Sequence, residues 1–288
     1  MMNVLVAGYG VMTRGIIPHI VQKAGAEVFL MSRHLEAPPL GVTLRQSSEL
    51  PDAPPDVILG CFESDERSRE FWTTSEVLAA VSRRRTACIE MSTLTPGWVE
   101  EWHELIRQNG GSTVECPVTG SRVGATNGAL SAFLYESAPD PRAVQVVNAF
   151  VKKQYHFSAP GNPARFKLVY NAWGAALLHT LTAFVPTLQD ELGEDFGVAA
   201  EIATSDGWMS LVAASKLERM VEQDFGDPDF ALKYMLKDLR YARGVLGESN
   251  SLVNLVYQTF LNARSAYGES ADYTAVTGEK IRENIRSQ

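Results

Sequence analysis

The sequence predicts an α/β fold: an N-terminal doubly wound parallel sheet, then an all-α second half entered through one long interdomain helix. Three observations predict it. Short apolar runs alternate with helix-length segments through the first half of the chain. A glycine turn, Gly8-Tyr9-Gly10, separates the first apolar run from the first helical one. Beyond about residue 160 the strand signal stops and only helical patterns continue. Strands alternating with helices make βαβ units, and right-handed crossovers stack these into an open parallel sheet.

Each element follows from its composition. Residues 3–7 are a short apolar strand, 14–24 a helix and 27–31 a second strand. Residues 56–61 (Val57-Ile58-Leu59 at the centre) are a third strand, set off by Pro51, Pro54 and Pro55. A helix over 65–82, a strand over 87–91, a helix over 96–109 and a short strand over 113–116 complete the sheet half. The second half opens with a helix over 164–193, about 43 Å long at 1.5 Å per residue. Further helices are expected over 198–205, 211–222, 229–246, 251–267 and 275–286. Pro160-Gly161-Asn162-Pro163 breaks regular structure, so the expected domains are 1–162 and 163–288.

Composition narrows the function. The 288 residues carry a net charge of -8, from 26 Lys+Arg against 34 Asp+Glu. A nucleic-acid binder would show a basic balance, so that partner class is excluded. Cys61, Cys88 and Cys116 are far apart and odd in number, which predicts a reducing, cytoplasmic setting. The five histidines show neither HxH nor HExxH spacing, so no metal site is expected. The first basic residue, Arg14, follows the first apolar run, which argues against a signal peptide. Leu168 to Gln189 is a run of 22 residues without formal charge. It contains Asn171, His179, Thr180, Thr182, Pro186 and Thr187, and so reads as a helix buried in protein, not a membrane span. His179 is expected to be a satisfied core histidine.

The glycine turn carries the first chemical signal. A GxG between strand and helix lets the chain turn tightly at Gly8 and lets Gly10 approach a pyrophosphate, which then lies on the helix N-terminus. The third fingerprint glycine is replaced by Thr13, which predicts looser helix–strand packing. The tip of the second strand reads Met31-Ser32-Arg33-His34. A carboxylate there would bind the ribose hydroxyls of NAD(H); Arg33 and Ser32 suit a 2′-phosphate, so NADP(H) is the expected cofactor.

Four further segments carry a resemblance: Glu90-Met91-Ser92-Thr93, Glu115-Cys116-Pro117-Val118-Thr119-Gly120-Ser121, Phe166-Lys167-Leu168-Val169-Tyr170-Asn171, and Lys237-Asp238-Leu239. In this order and spacing the chain resembles the β-hydroxyacid dehydrogenases, which include 3-hydroxyisobutyrate dehydrogenases and glyoxylate/succinic semialdehyde reductases. The resemblance implies that Lys167 is the catalytic lysine and Asn171 its companion; their spacing of four puts both on one helix face. It implies that Thr119, Gly120 and Ser121 replace the family's Ser-Gly-Gly substrate loop, that Thr93 lies near the nicotinamide, and that Lys237 and Asp238 lie near the site. Expected cofactor contacts are then Gly8, Tyr9, Gly10, Val11, Met12, Ser32, Arg33, Phe62, Thr93 and Lys237. The implied reaction is hydride transfer between NADP(H) and a small carboxylate-bearing β-hydroxy acid or its semialdehyde or keto form, with Lys167 as proton donor and carbonyl polariser. An imine reductase and a non-catalytic NADP-binding sensor or scaffold are the alternatives. The long helix is expected to pack in a homodimer.

Overall fold

The computed structural model describes residues 1–32, 42–45, 50, 53–206 and 210–278. It divides into two compact units, Met1–Leu168 and Val169–Gln288.

In the first unit, β1 (Met2–Ala7), α1 (Val11–Lys23), β2 (Ala26–Met31), β3 (Val42–Arg45) and β4 (Val57–Gly60) come first. Helices α2 (Asp65–Trp72) and α3 (Ser75–Arg84), strand β5 (Ala87–Glu90), helix α4 (Pro96–Gln108) and strand β6 (Ser112–Glu115) follow. The unit is completed by β7 (Val118–Thr119), α5 (Ser121–Thr126), β8 (Leu130–Glu136), α6 (Pro141–Phe150), β9 (Val151–His156) and the start of α7 (Asn162–Leu192). The strand order is β3-β2-β1-β4-β5-β6-β8-β7, with β9 beside β8. The run from β3 to β6 is parallel, the doubly wound order of a Rossmann sheet. The expected all-parallel sheet is extended by β8, antiparallel to both β6 and β7.

Parallel strands covered on both faces must be apolar on both faces. Val4 and Val6 of β1 pack with Ile16, Ile17 and Ile20 of α1 and with α6, while Leu5 points to the opposite side. There it joins Trp72 of α2, Val77 and Val81 of α3, and Trp98 and Trp102 of α4.

The expected helix over 65–82 is two helices. The Thr73 hydroxyl donates to the Arg69 carbonyl and that of Thr74 to Phe71, closing α2 before α3 begins. Side-chain bonds of this kind compete with helix continuation.

The second unit continues α7 and adds α8 (Phe196–Glu201), α9 (Ser210–Glu222), α10 (Leu232–Leu246) and α11 (Ser251–Tyr267). A π-helical turn, Ile202–Asp206, ends the expected 198–205 helix. Tyr273–Thr277 is a 3-10 turn where a helix over 275–286 was expected, and residues 279–286 lie outside the described residues. By length and composition α7 could cross a membrane, and only 35% of its most apolar window is buried. It is therefore less covered by its own chain than the sequence predicts. Tyr170, Trp173, Leu177, Phe184 and Leu188, spaced as one helical stripe, are all exposed.

Candidate active site

The C-terminal edge of the parallel strands gathers the first-unit residues that the sequence points to. Gly8 follows β1, Ser32 follows β2, Phe62 lies just past β4, and Thr93 just past β5. Backbone bonds lock this edge: Gly8 N–H to Met31 O (3.0 Å), Cys61 N–H to Ala7 O (2.9 Å), and Met91 N–H to Gly60 O (2.9 Å). Strand order reverses between β1 and β4, and the crevice at such a switch point is where open α/β sheets bind ligands. Arg33 lies outside the described residues.

The glycine turn is built as a nucleotide cradle. Gly8 has φ +98, and a Cβ there would stand 2.1 Å from the Cys61 carbonyl oxygen. Gly10 is exposed, and a Cβ on it would meet nothing within 4 Å. Helix α1 then starts at Val11 and Met12 with no acid in its first turn. The first N–H groups of a helix have no intrahelical acceptor, so this end suits a phosphate. Thr13 does not loosen the turn as expected. It is fully buried, and its Oγ1 accepts from the Gly10 N–H at 2.9 Å and donates to the Gly10 carbonyl at 3.2 Å. The close packing of a fingerprint glycine falls instead at Gly15, where a Cβ would sit 2.8 Å from the Ala125 backbone of α5. Tyr9 is covered by the guanidinium of Arg14, 5.0 Å from the ring centre.

Beneath this edge lies a buried carboxylate that sequence reasoning quoted but gave no role. Glu90 ends β5 at 1% exposure. It accepts from Ser68 Oγ (2.7 Å), Trp72 Nε1 (2.7 Å), Ser92 N (3.0 Å) and Ser92 Oγ (2.5 Å). The Ser92 hydroxyl in turn accepts from the Phe62 N–H at 2.6 Å. Burial pushes the Glu90 carboxyl upward against the opposing pull of its four donors. The network fixes the loops that carry Phe62 and Thr93. The available signal was a single acid closing an otherwise apolar strand.

The segment expected to meet substrate, Thr119–Ser121, follows β6. Thr119 ends β7, Gly120 has φ +129, and Ser121, at φ +55, begins α5 in the left-handed region. Only glycine takes that region without cost, so Ser121 holds a strained backbone where the family places glycine.

Lys167 lies in the second turn of α7 and is 8% exposed. Asn171, one turn further, belongs to the second unit, where its Nδ2 donates to Asp238 Oδ2 at 2.6 Å. Lys237 Nζ is 2.9 Å from Asp238 Oδ1. Oδ1 has no well-aligned hydrogen bond despite that distance, so the contact is chiefly one of charge. Asp238 thus pairs inside the helical unit, and Lys237, with 12% of its side chain exposed, is not part of a solvated face. His179 departs from the expectation of a satisfied core residue: it is half-buried, its Nδ1 has no hydrogen-bond partner among the described residues, and burial lowers its pKa.

Residues 3–140 match the family described as the NAD binding domain of 6-phosphogluconate dehydrogenase. An uncharacterized oxidoreductase of Synechocystis sp. is 26% identical over 95% of this chain and 96% of its own length. A 3-hydroxyisobutyrate dehydrogenase of Mycobacterium tuberculosis, solved with L-serine, superposes with a TM-score of 0.77 at 22% identity. The superposition covers 99% of this chain and all (100%) of that one. The chain has the fold of a 3-hydroxyisobutyrate dehydrogenase over nearly its whole length, with an NAD-binding type of N-terminal domain. Its N-terminal part is an NAD(P)-binding Rossmann domain. The human cytokine-like nuclear factor N-PAC is also similar, 24% identical over 82% of this chain. The chain spans 43% of the N-PAC length.

Proposed function

We propose that the chain is a cytoplasmic NADP(H)-dependent oxidoreductase. Its substrate is a small β-hydroxy acid bearing a carboxylate, or the corresponding semialdehyde or keto acid. The observation that carries this reading is Lys167: a lysine kept almost wholly from solvent near the start of a long helix, one turn before Asn171. The nicotinamide supplies the hydride. Lys167, protonated, polarises the carbonyl oxygen and donates the proton that completes the alcohol. Asn171 orients the same oxygen with the N–H that Asp238 does not use, since an amide has two donors. Thr119 and Ser121 supply hydroxyls, and Gly120 an N–H, to the substrate carboxylate. Thr93 borders the nicotinamide and Lys237 adds positive charge at the cofactor.

The 2′-phosphate is assigned to Ser32 and Arg33, a pairing with no carboxylate to repel it. The exposed stripe on α7 is the contact of a homodimer.

The test is absorbance at 340 nm with NADPH and NADH against succinic semialdehyde, glyoxylate and 2-methyl-1-pyrroline, and with NADP+ against L-serine. Turnover of a carbonyl substrate that Lys167→Ala lowers at least a hundredfold supports the reading. Turnover of the pyrroline alone would make the chain an imine reductase. Tight NADPH binding without turnover would support a non-catalytic sensor or scaffold. Arg33→Asp should raise the KM for NADPH and leave that for NADH within a few-fold; an unchanged NADPH KM would refute the cofactor assignment.

A further inference from the structure

The start of α7 has no local cap. Gly161, just before the helix, has φ +75 and no side chain to offer its first turn. Pro163 has no N–H at all. The Asn162 N–H reaches Ala159 O at 3.3 Å, and the Arg165 N–H makes the first helical bond, to Gly161 O at 2.9 Å. Two donors remain, Gly161 N–H and Ala164 N–H. Both go to one carboxylate from a distant strand: Glu115 Oε2 accepts from Gly161 at 2.8 Å, and Oε1 from Ala164 at 2.7 Å. Glu115 is 1% exposed, and the nearest cationic candidate, His103 Nε2, is 3.5 Å from Oε2.

We propose that Glu115 is a positioning residue: its carboxylate sets where α7 begins and thereby where Lys167 presents its amine. The proposal rests on the reading of Lys167 as the proton donor. Lys167 stands three residues beyond Ala164, on the same helix face, so a slip of the first turn moves it directly. Glu115 also closes β6, and Cys116-Pro117-Val118 leads from it into Thr119–Ser121. One side chain therefore ties the substrate loop to the helix of the proton donor. A negative charge at this end further opposes the partial positive charge of the helix N-terminus. A misplacement of about 1 Å can cost on the order of a hundredfold in rate.

The decisive variant is Glu115→Gln, which keeps the shape but can accept from only one of the two N–H groups at a time. The expected result is a kcat roughly 10- to 100-fold lower, with the Kd for NADPH, read by nucleotide fluorescence, within twofold. Amides 161–168 should exchange hydrogen at least tenfold faster, while those of β1 and α1 keep wild-type protection. Glu115→Asp, which retains the charge, should recover part of the kcat, and it serves as the folded variant where the amide does not accumulate. Wild-type kcat and wild-type exchange in Glu115→Gln would overturn the proposal. So would equal losses of turnover and NADPH affinity, which would assign Glu115 to the nucleotide domain as a whole. Lys167→Ala separates the two ideas. Undiminished turnover in that variant removes the proton-donor reading, and the proposal with it, even where the exchange result establishes Glu115 as a cap.

Discussion

Two glycines separated by a single residue should fail in opposite ways. Gly8→Ala puts a Cβ 2.1 Å from the Cys61 carbonyl oxygen and asks an L-residue to hold φ +98. The left-handed conformation costs about 1–2 kcal/mol. Relieving the clash means moving backbone at the end of β4, an overpacking cost of about 1–3 kcal/mol. The sum, about 2–5 kcal/mol, is a large part of an ordinary domain's stability of about 5–15 kcal/mol. Gly10→Ala meets nothing within 4 Å and sits at an ordinary φ of -110. Its folding cost should stay below about 1 kcal/mol, the scale of a changed helix cap. Its new methyl instead enters the space left open over the N-terminus of α1. If a pyrophosphate lies there, a steric penalty of about 1–3 kcal/mol weakens cofactor binding roughly 5- to 150-fold. Urea unfolding and NADPH fluorescence titration on both variants read the two effects separately. A Gly10→Ala protein that binds NADPH and NADH as tightly as wild type would refute the placement of the cofactor. A Gly8→Ala protein of unchanged stability would refute the geometry of the turn.

Other outcomes follow from local structure. Ser121→Gly should stabilise the chain slightly, by about 0.5 kcal/mol, because relief of the φ +55 strain exceeds the added chain entropy; thermal unfolding reads it. Burial alone would raise the Asp140 carboxyl, but bonds from Arg142 and Ser112 outweigh it and hold the group at about 2 against an ordinary 3.8. The folded pKa is depressed, so this stability is present above pH 3.8 and disappears as pH falls toward 2. Asp140→Asn should then cost about 1–2 kcal/mol at pH 7, after allowance for solvent screening, and less at pH 3, as measured by urea unfolding at both. Wild-type protein at micromolar concentration should sediment as a dimer and Trp173→Glu, on the exposed stripe, as a monomer; a monomeric wild type would refute the assembly.

Much of the fold was legible because its signals are local. The β1–turn–α1 unit announces itself in one apolar strand and two glycines, and α11 occupies the 251–267 span its periodicity predicts. What escaped reading depends on partners distant in sequence. The break between α2 and α3 is made by two threonine hydroxyls that a periodic pattern passes over. Strand β3 lies alone between stretches of weak pattern, and its pairing with β2 is a tertiary contact. Strand β9 is exposed along nearly its whole length, so it carries no alternation to detect. The site divides in the same way. Glycines and a lysine at family spacing stand out in the sequence. The roles of Glu90 and Glu115 exist only once β5 and β6 lie beside α2 and the start of α7.

Those two carboxylates also bear on how an acidic chain handles anionic ligands. The net charge of -8 produces an unfavourable long-range field for NAD(P)(H) and for any anionic substrate. Attraction must be local, and the described residues show how it is kept local. Glu90 is tied to hydroxyls, an indole and an N–H; Glu115 is tied to helix N–H groups. Each is spent on donors beneath the surface, where it orders loops and does not face the crevice edge. Asp65 and Glu66 of α2 and Glu76 of α3 lie in the first turns of their helices, where they stabilise them. Helix α1 differs, because its first turn holds no acid and is preceded by an uncovered glycine. The helix end that follows β1 at the switch point thus holds no acid in its first turn to offset its partial positive charge. An acidic protein can bind an anion there because the compensating charge it could have placed is absent from that turn.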